Sequence, residues 1–261
     1  MLSPDRPVTS RDIPAAAAAV LERIRARAPR VHCITNAVAQ NFSANLLLAA
    51  GAIPSMTIAP EEVAQFAARA DALLVNLGTF DSERRAAADL AIDAVAGEGK
   101  PWLLDPVFIE RSPPRTAYAK SLLAKKPRAV RLNRPEFAAL AGYEADDAKL
   151  SAFAAAHNAT MGLTGQVDIV ADRARRVSIG NGHPLMAKVT AMGCAGSALV
   201  GACLAVERDP WIAMASGLLM LGVAGDIAAQ DARGPGSFAA GILDALYNLD
   251  GNTLIAQAKV T

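Results

Sequence analysis

Short apolar runs at residues 30–34, 72–76, 102–104, 129–132 and 160–163 recur along the chain, each followed by a longer helix-like segment. Strands this short and this apolar are buried on both faces, and the lengths between them suit crossover helices. The alternation therefore predicts a three-layer α/β fold, a mostly parallel central sheet with helices on both faces. Helix ends are marked locally: residues 42–50 stop at Gly51, Pro60 opens residues 61–70, Asp81 caps residues 82–96 before Gly97, and residues 134–141 stop at Gly142. After the fifth run the rhythm changes, because residues 167–171 and 176–179, joined by a short polar turn, predict an antiparallel hairpin at the sheet edge. Two long helices of small residues follow at 193–206 and 210–230, then the loop Gly234-Pro235-Gly236 and a last helix from Ser237.

A chain of 261 residues fits one α/β domain over its whole length, and 52% hydrophobic residues supply the surface that a two-sided sheet must bury. Lys and Arg, 26 in all, nearly cancel 25 Asp and Glu, so no broad positive field exists to hold a nucleic acid or an anionic membrane. The expected partners are small molecules. Cys33, Cys194 and Cys203 have neither disulfide-framework nor zinc-like spacing, which suits a reducing, cytoplasmic compartment. The start, from Met1 to Arg6, has no basic segment leading into a long apolar core, so no signal peptide is expected. Residues 189–206 carry no charge and approach the length of a membrane span. Their Thr190, Gly193, Gly196, Ser197 and Gly201 instead suit a core helix lying close to its neighbours.

Directly after the five runs stand Thr35-Asn36, Gly78-Thr79, Asp105-Pro106, Asn133 and Thr164-Gly165. Ligands of open parallel sheets bind outside the carboxyl ends of the strands, so these residues outline a site on one rim. Each of them alone is also an ordinary turn or cap residue. Asn133-Arg134-Pro135-Glu136 reads as a capping box. The Glu136 carboxylate, near Asp105, can equally hold a hydrated Mg²⁺, with Arg131 facing phosphate oxygens. Thr190-Ala191-Met192-Gly193-Cys194 opens the uncharged helix, whose first amides and dipole suit a phosphoryl group in transit and favour a Cys194 thiolate. The plainer reading of Cys194 is a small buried hydrophobe, the one kept for Cys33 and Cys203. His32, His157 and His183 form no metal motif by spacing.

Several motifs combine in order: Val31-His32-Cys33-Ile34-Thr35-Asn36, Asn76-Leu77-Gly78-Thr79, Leu104-Asp105-Pro106-Val107, Arg131-Leu132-Asn133-Arg134-Pro135-Glu136, Thr164-Gly165-Gln166-Val167-Asp168, Asn181-Gly182-His183-Pro184, Gly193-Cys194 and Gly234-Pro235-Gly236-Ser237-Phe238. Through them the chain, from Val31 to Leu249, resembles the hydroxyethylthiazole kinases of thiamine salvage, within the ribokinase-like fold. The resemblance implies phosphorylation of the hydroxyethyl group of 4-methyl-5-(2-hydroxyethyl)thiazole by ATP with Mg²⁺, in a homotrimer whose sites lie between subunits. It places Asn36, Val38 and Met56 around the thiazole and Ala191 and Gly193 in an anion hole. Arg131, Asn133 and Thr164 would meet ATP, and Asp105 and Glu136 would organise metal and phosphates. Cys194 would stand where related enzymes of the fold carry an aspartate base.

Four residues depart from the family pattern. Ala191 replaces the first anion-hole glycine and is accommodated only if its φ is negative; Leu132, Gln166 and Phe108 replace a glycine, a glutamate and a glycine. Two rivals remain. A kinase of the same fold acting on hydroxymethylpyrimidine or pyridoxal is disfavoured by the Asn36 and Met56 segments, and a weakly catalytic thiazole- or nucleotide-binding paralogue by intact Asp105, Glu136 and Cys194.

Overall fold

The computed structural model describes residues 8–261, so the Met1 to Arg6 start, read above for its lack of a leader, lies outside them. In chain order the elements are α1 (Ile13–Arg27), β1 (Arg30–Ile34), α2 (Gln40–Ala50), β2 (Ile53–Ser55), α3 (Val63–Arg69), β3 (Ala72–Asn76), α4 (Ser82–Gly97), β4 (Trp102–Asp105), α5 (Pro113–Ala124) and β5 (Ala129–Asn133). There follow α6 (Arg134–Ala141), α7 (Asp147–His157), β6 (Thr160–Thr164), β7 (Asp168–Ala171), β8 (Arg176–Ile179), α8 (Met192–Val206), α9 (Pro210–Asp231), α10 (Pro235–Asn248) and α11 (Gly251–Gln257). One eight-stranded sheet runs β2-β1-β3-β4-β5-β6-β7-β8. Pairing is parallel from β2 to β6 and antiparallel through β7 and β8, so the hairpin does form one edge.

Alternation along each strand divides the core in two. Leu74 and Leu103 face the layer of α1, α2, α8, α9, α10 and α11, while Leu73, Val75 and Leu104 face the layer of α3 to α7. The small residues of α8 have the steric reason expected of them. A Cβ on Gly201 would lie 3.1 Å from Val31, and one on Gly196 would lie 2.7 Å from Leu221. Among the described residues, α9 is the helix long and apolar enough to cross a membrane, and 83% of its apolar window is buried inside the protein.

The strand ends differ from expectation in a way that matters for the site. β4, β5 and β6 each continue one residue further, so Asp105, Asn133 and Thr164 belong to the strands and their backbones are set by the sheet. α1, β2, α5 and α11 are additional elements; β2 contains Pro54, which cannot donate to a ladder and is tolerated because β2 lies at an edge. At the opposite edge, the C-terminal residues pair with β8 through Ile179 and Val260 and through reciprocal bonds of Ser178 and Thr261.

Candidate active site

Two carboxylates are buried together at the carboxyl rim. Asp105 Oδ2 accepts hydrogen bonds from Asn76 Nδ2 at 2.7 Å and from Ser197 Oγ at 2.7 Å. Asp105 is only 2% exposed. Burial raises its pKa, against the opposing pull of Arg131 and these two donors. Glu136 forms the expected capping box: Asn133 Oδ1 accepts from the Glu136 amide at 2.9 Å, and Glu136 Oε2 accepts from the Asn133 amide at 2.8 Å. Its other oxygen accepts from the Phe108 amide at 3.1 Å. Burial first, and the Asp105 charge second, push Glu136 up to about 7.

The Asp105 charge opposes ionisation of Glu136, a conflict that a divalent cation would resolve. Mg²⁺ keeps several waters and takes one or two protein carboxylates with substrate phosphates, and Asp105 and Glu136 fit that donor set. Among the described residues no group of three or more His, Cys, Asp or Glu gathers as a denser metal cage.

Glu136 also carries a pH signature. A carboxyl raised from 4.5 to about 7 binds more protons in the folded chain than in the unfolded one, so stability is lost as pH rises through that window. In metal-free protein, the melting temperature of Glu136→Gln relative to wild type is therefore expected to improve as pH rises from acid to neutral. The metal role that the resemblance implies for Glu136 would add a loss of metal-dependent turnover in the variant. A stability difference that stays constant with pH, measured by thermal melts in chelator, would remove the charge from this account and leave Glu136 a cap.

At the start of α8 the guanidinium of Arg131 lies so near that a Cβ on Gly193 would meet its Nη1 at 3.1 Å. Its buried Nε has no protein partner, and its charge acts on Asp105, Glu136, Asp168 and Cys194. Of the two readings of Cys194, the thiolate favoured by the helix start is not supported: the thiol is pushed up to about 12 by burial and by Asp105, which outweigh the Asn76 hydrogen bond and Arg131. A helix start stabilises an anion only where desolvation and neighbouring negative charge do not cost more.

Ala191 also departs from expectation. Its φ is +72°, in the left-handed region, and Phe108 has φ +60°. Two positions that are glycine in the family pattern thus keep a glycine-like backbone with an L side chain on it, at roughly 1–2 kcal/mol each. Ala191→Gly relieves that strain but frees the unfolded chain by about 0.4–1 kcal/mol, so a net gain of up to about 1.6 kcal/mol is expected. Ala191→Val should lose more than this. A lower melting temperature for the glycine variant would show that the backbone at 191 is unstrained.

A cavity of about 790 Å³ opens beside this helix start, with Arg131, Asn133, Thr164, Asp168, Asn181 and Gly193 among its walls. The structure thus brings the expected nucleotide residues together with Gly193. Asn36, Val38 and Met56 do not line it. Asn36 Oδ1 accepts from the Val38 amide at 3.1 Å and from Thr79 Oγ1 at 3.2 Å, while Gly78 approaches so closely that a Cβ there would lie 2.5 Å from Asn36 Nδ2. Val38 is 67% exposed, and Met56 is half-buried against the core. Ser197, Asn76 and Asp168 were not anticipated as site residues. Ser197 had a signal, since it follows Gly193 by one helical turn and shares its face. Arg115 had none: its guanidinium donates to the carbonyls of Leu77, Gly78 and Val107, tying together the loops after β3 and β4.

Residues 21–252 match the model of the hydroxyethylthiazole kinase family. A probable hydroxyethylthiazole kinase of Agrobacterium fabrum is 45% identical over 253 residues, covering 96% of this chain and 98% of that one. The solved structure of a hydroxyethylthiazole kinase protein from Pyrococcus horikoshii superposes with a TM-score of 0.89 at 37% identity, over 94% of this chain and 98% of its own. A ribokinase-like superfamily protein from Enterococcus faecalis, 13% identical, shares the fold with a TM-score of 0.68 over 88% of this chain and 93% of its own. With the expected motifs gathered at one rim of a ribokinase-like sheet and relatives matching nearly end to end, the chain belongs to the hydroxyethylthiazole kinase family.

Proposed function

We propose that the chain transfers the γ-phosphoryl group of ATP to the hydroxyl of 4-methyl-5-(2-hydroxyethyl)thiazole, forming thiazole phosphate and ADP in thiamine metabolism. The observation that carries this reading is the start of α8, where the guanidinium of Arg131, its Nε without a protein partner, approaches Gly193 through Nη1 beside two buried carboxylates and an open cavity. Phosphoryl transfer asks a protein chiefly for positioning and charge stabilisation, and this constellation offers both. Arg131, Asn133 and Thr164 hold ATP, and the first amides of α8 face the phosphoryl group in transit. Asp105 and Glu136 would hold Mg²⁺, which when bound offsets charge on the phosphates.

Cys194, whose neutral thiol already carries its proton, orients the substrate hydroxyl, and the hydroxyl proton leaves late to an oxygen of the transferred phosphoryl group, when a loose transition state has made it acidic. Asn36, Val38 and Met56 border the thiazole. Val38 itself is 67% exposed, and a neighbouring copy in a homotrimer covers it. The three free cysteines and the use of ATP fit a cytoplasmic enzyme.

The test is incubation of the purified protein with the thiazole alcohol and Mg-ATP, with product read by mass spectrometry and hydroxymethylpyrimidine and pyridoxal run in parallel. Faster turnover of either rival alcohol moves the substrate; tight binding without turnover makes the chain a binding paralogue. Light scattering of the same preparation should give the mass of three chains. Full activity in a single-chain species would rule out shared sites.

A further inference from the structure

The wall of the cavity at residues 180–183 contains two glycines, and Gly182 sits at φ +128°. Such a segment does not hold its own shape. The C-terminal residues are fastened across it. Asn181, 7% exposed, donates through Nδ2 to Asp226 Oδ2 and to the Gln257 carbonyl, both at 2.8 Å, and accepts through Oδ1 from the Lys259 amide at 2.7 Å. Asp226 Oδ1 accepts from the Gly182 amide at 3.2 Å, and Lys259 Nζ pairs with Asp226 Oδ2 at 3.0 Å. Next to these, the Gly180 amide donates to the Lys259 carbonyl at 2.8 Å. Behind the wall, α9 butts directly against it, since a Cβ on Gly222 would lie 2.8 Å from Asn181 Cβ.

We propose that Asp226 and Lys259 are positioning residues for nucleotide binding: together with Asn181 they make the C-terminal segment a strap that holds the glycine-containing wall of the ATP cavity in its binding shape. Neither Asp226 nor Lys259 lines the cavity, so each acts through the wall. The proposal rests on the reading of that cavity as the nucleotide site. A wall ordered before ATP arrives spares binding the entropy of ordering it, so loosening the strap weakens ATP without touching the reacting groups.

The experiment is steady-state kinetics on the full-length chain carrying Asp226→Asn or Lys259→Ala, with ADP affinity by calorimetry and a thermal melt for each. KM for ATP and the dissociation constant for ADP are expected to rise roughly tenfold in Asp226→Asn and roughly threefold in Lys259→Ala, because the first loses a charged acceptor shared by three donors and the second one exposed pair. The value of kcat and KM for the thiazole stay near wild type. Lower melting temperatures with unchanged ADP affinity would make the network a structural staple only and overturn the proposal, as would equal rises in both KM values. If Asp226→Asn does not fold, Lys259→Ala at the exposed end of the strap decides the matter alone. Arg131→Ala in the same series separates the two levels. If it leaves ADP affinity unchanged, the cavity is not the nucleotide site and the strap falls with it; if it weakens ADP while the strap variants do not, the strap alone is wrong.

Discussion

Arg131→Ala is expected to lower kcat/KM by about 10³-fold, the low end of what an arginine on a transferring phosphoryl group contributes. The guanidinium lies against the first turn of α8, carries a buried Nε without a protein partner, and is the cation whose field acts on both Asp105 and Glu136. Arg131→Lys should recover only part of the loss, because a point charge on a flexible stem does not reproduce a planar fork. The sign of the accompanying pH effect follows from the same field. Arg131 lowers the pKa of both acids, so its removal raises them, and the acid limb of the pH–rate profile moves to higher pH. Rates on either side of neutrality, with melts to establish folding, check this. Wild-type kcat/KM in a folded alanine variant would leave phosphate binding to other groups.

For Cys194→Ala the expected loss is about 10²-fold in kcat with substrate binding retained, the size of effect that misplacing a reacting group produces. A thiol pushed up to about 12 keeps its own proton near neutral pH, so its part is orientation of the substrate hydroxyl. Wild-type activity should therefore show no rise with pH that tracks thiolate formation near an ordinary cysteine pKa of about 8.5, and alkylation of Cys194 at neutral pH should be slow. Cys194→Asp should keep substantial activity with a higher acid limb than wild type, because a third carboxyl beside Asp105 and Glu136 ionises reluctantly. Turnover in Cys194→Ala equal to wild type would reduce the residue to packing. Rapid alkylation would contradict its neutral state.

What was legible in the chain was whatever nearby residues settle among themselves. The parallel strands showed as short apolar runs because burial on both faces leaves no polar alternation, and the Asn133 and Glu136 cap showed because its partners are three residues apart. The edge strand β2 did not show, since a three-residue segment containing Pro54 has no strand pattern of its own and pairs only because β1 lies beside it. Glycine substitution at 108 and 191 marked positions of interest, but the sign of φ there is set by the loops and by α8, and both residues are held left-handed.

Of the residues expected at the site, Arg131, Asn133, Thr164 and Gly193 do gather around one cavity, and the ionisation states of the neighbouring acids and thiol had no sequence signal. Ser197 reaches Asp105 across 92 residues of sequence and Lys259 reaches Asn181 across 78, separations over which no local pattern operates. The sequence by itself determined the layer order, the rim on which the chemistry gathers and the family. Only the tertiary structure decided that Cys194 is a thiol and that Glu136 is pushed toward neutrality, because a pKa answers to burial and to charges brought close by folding, and neither exists along the unfolded chain.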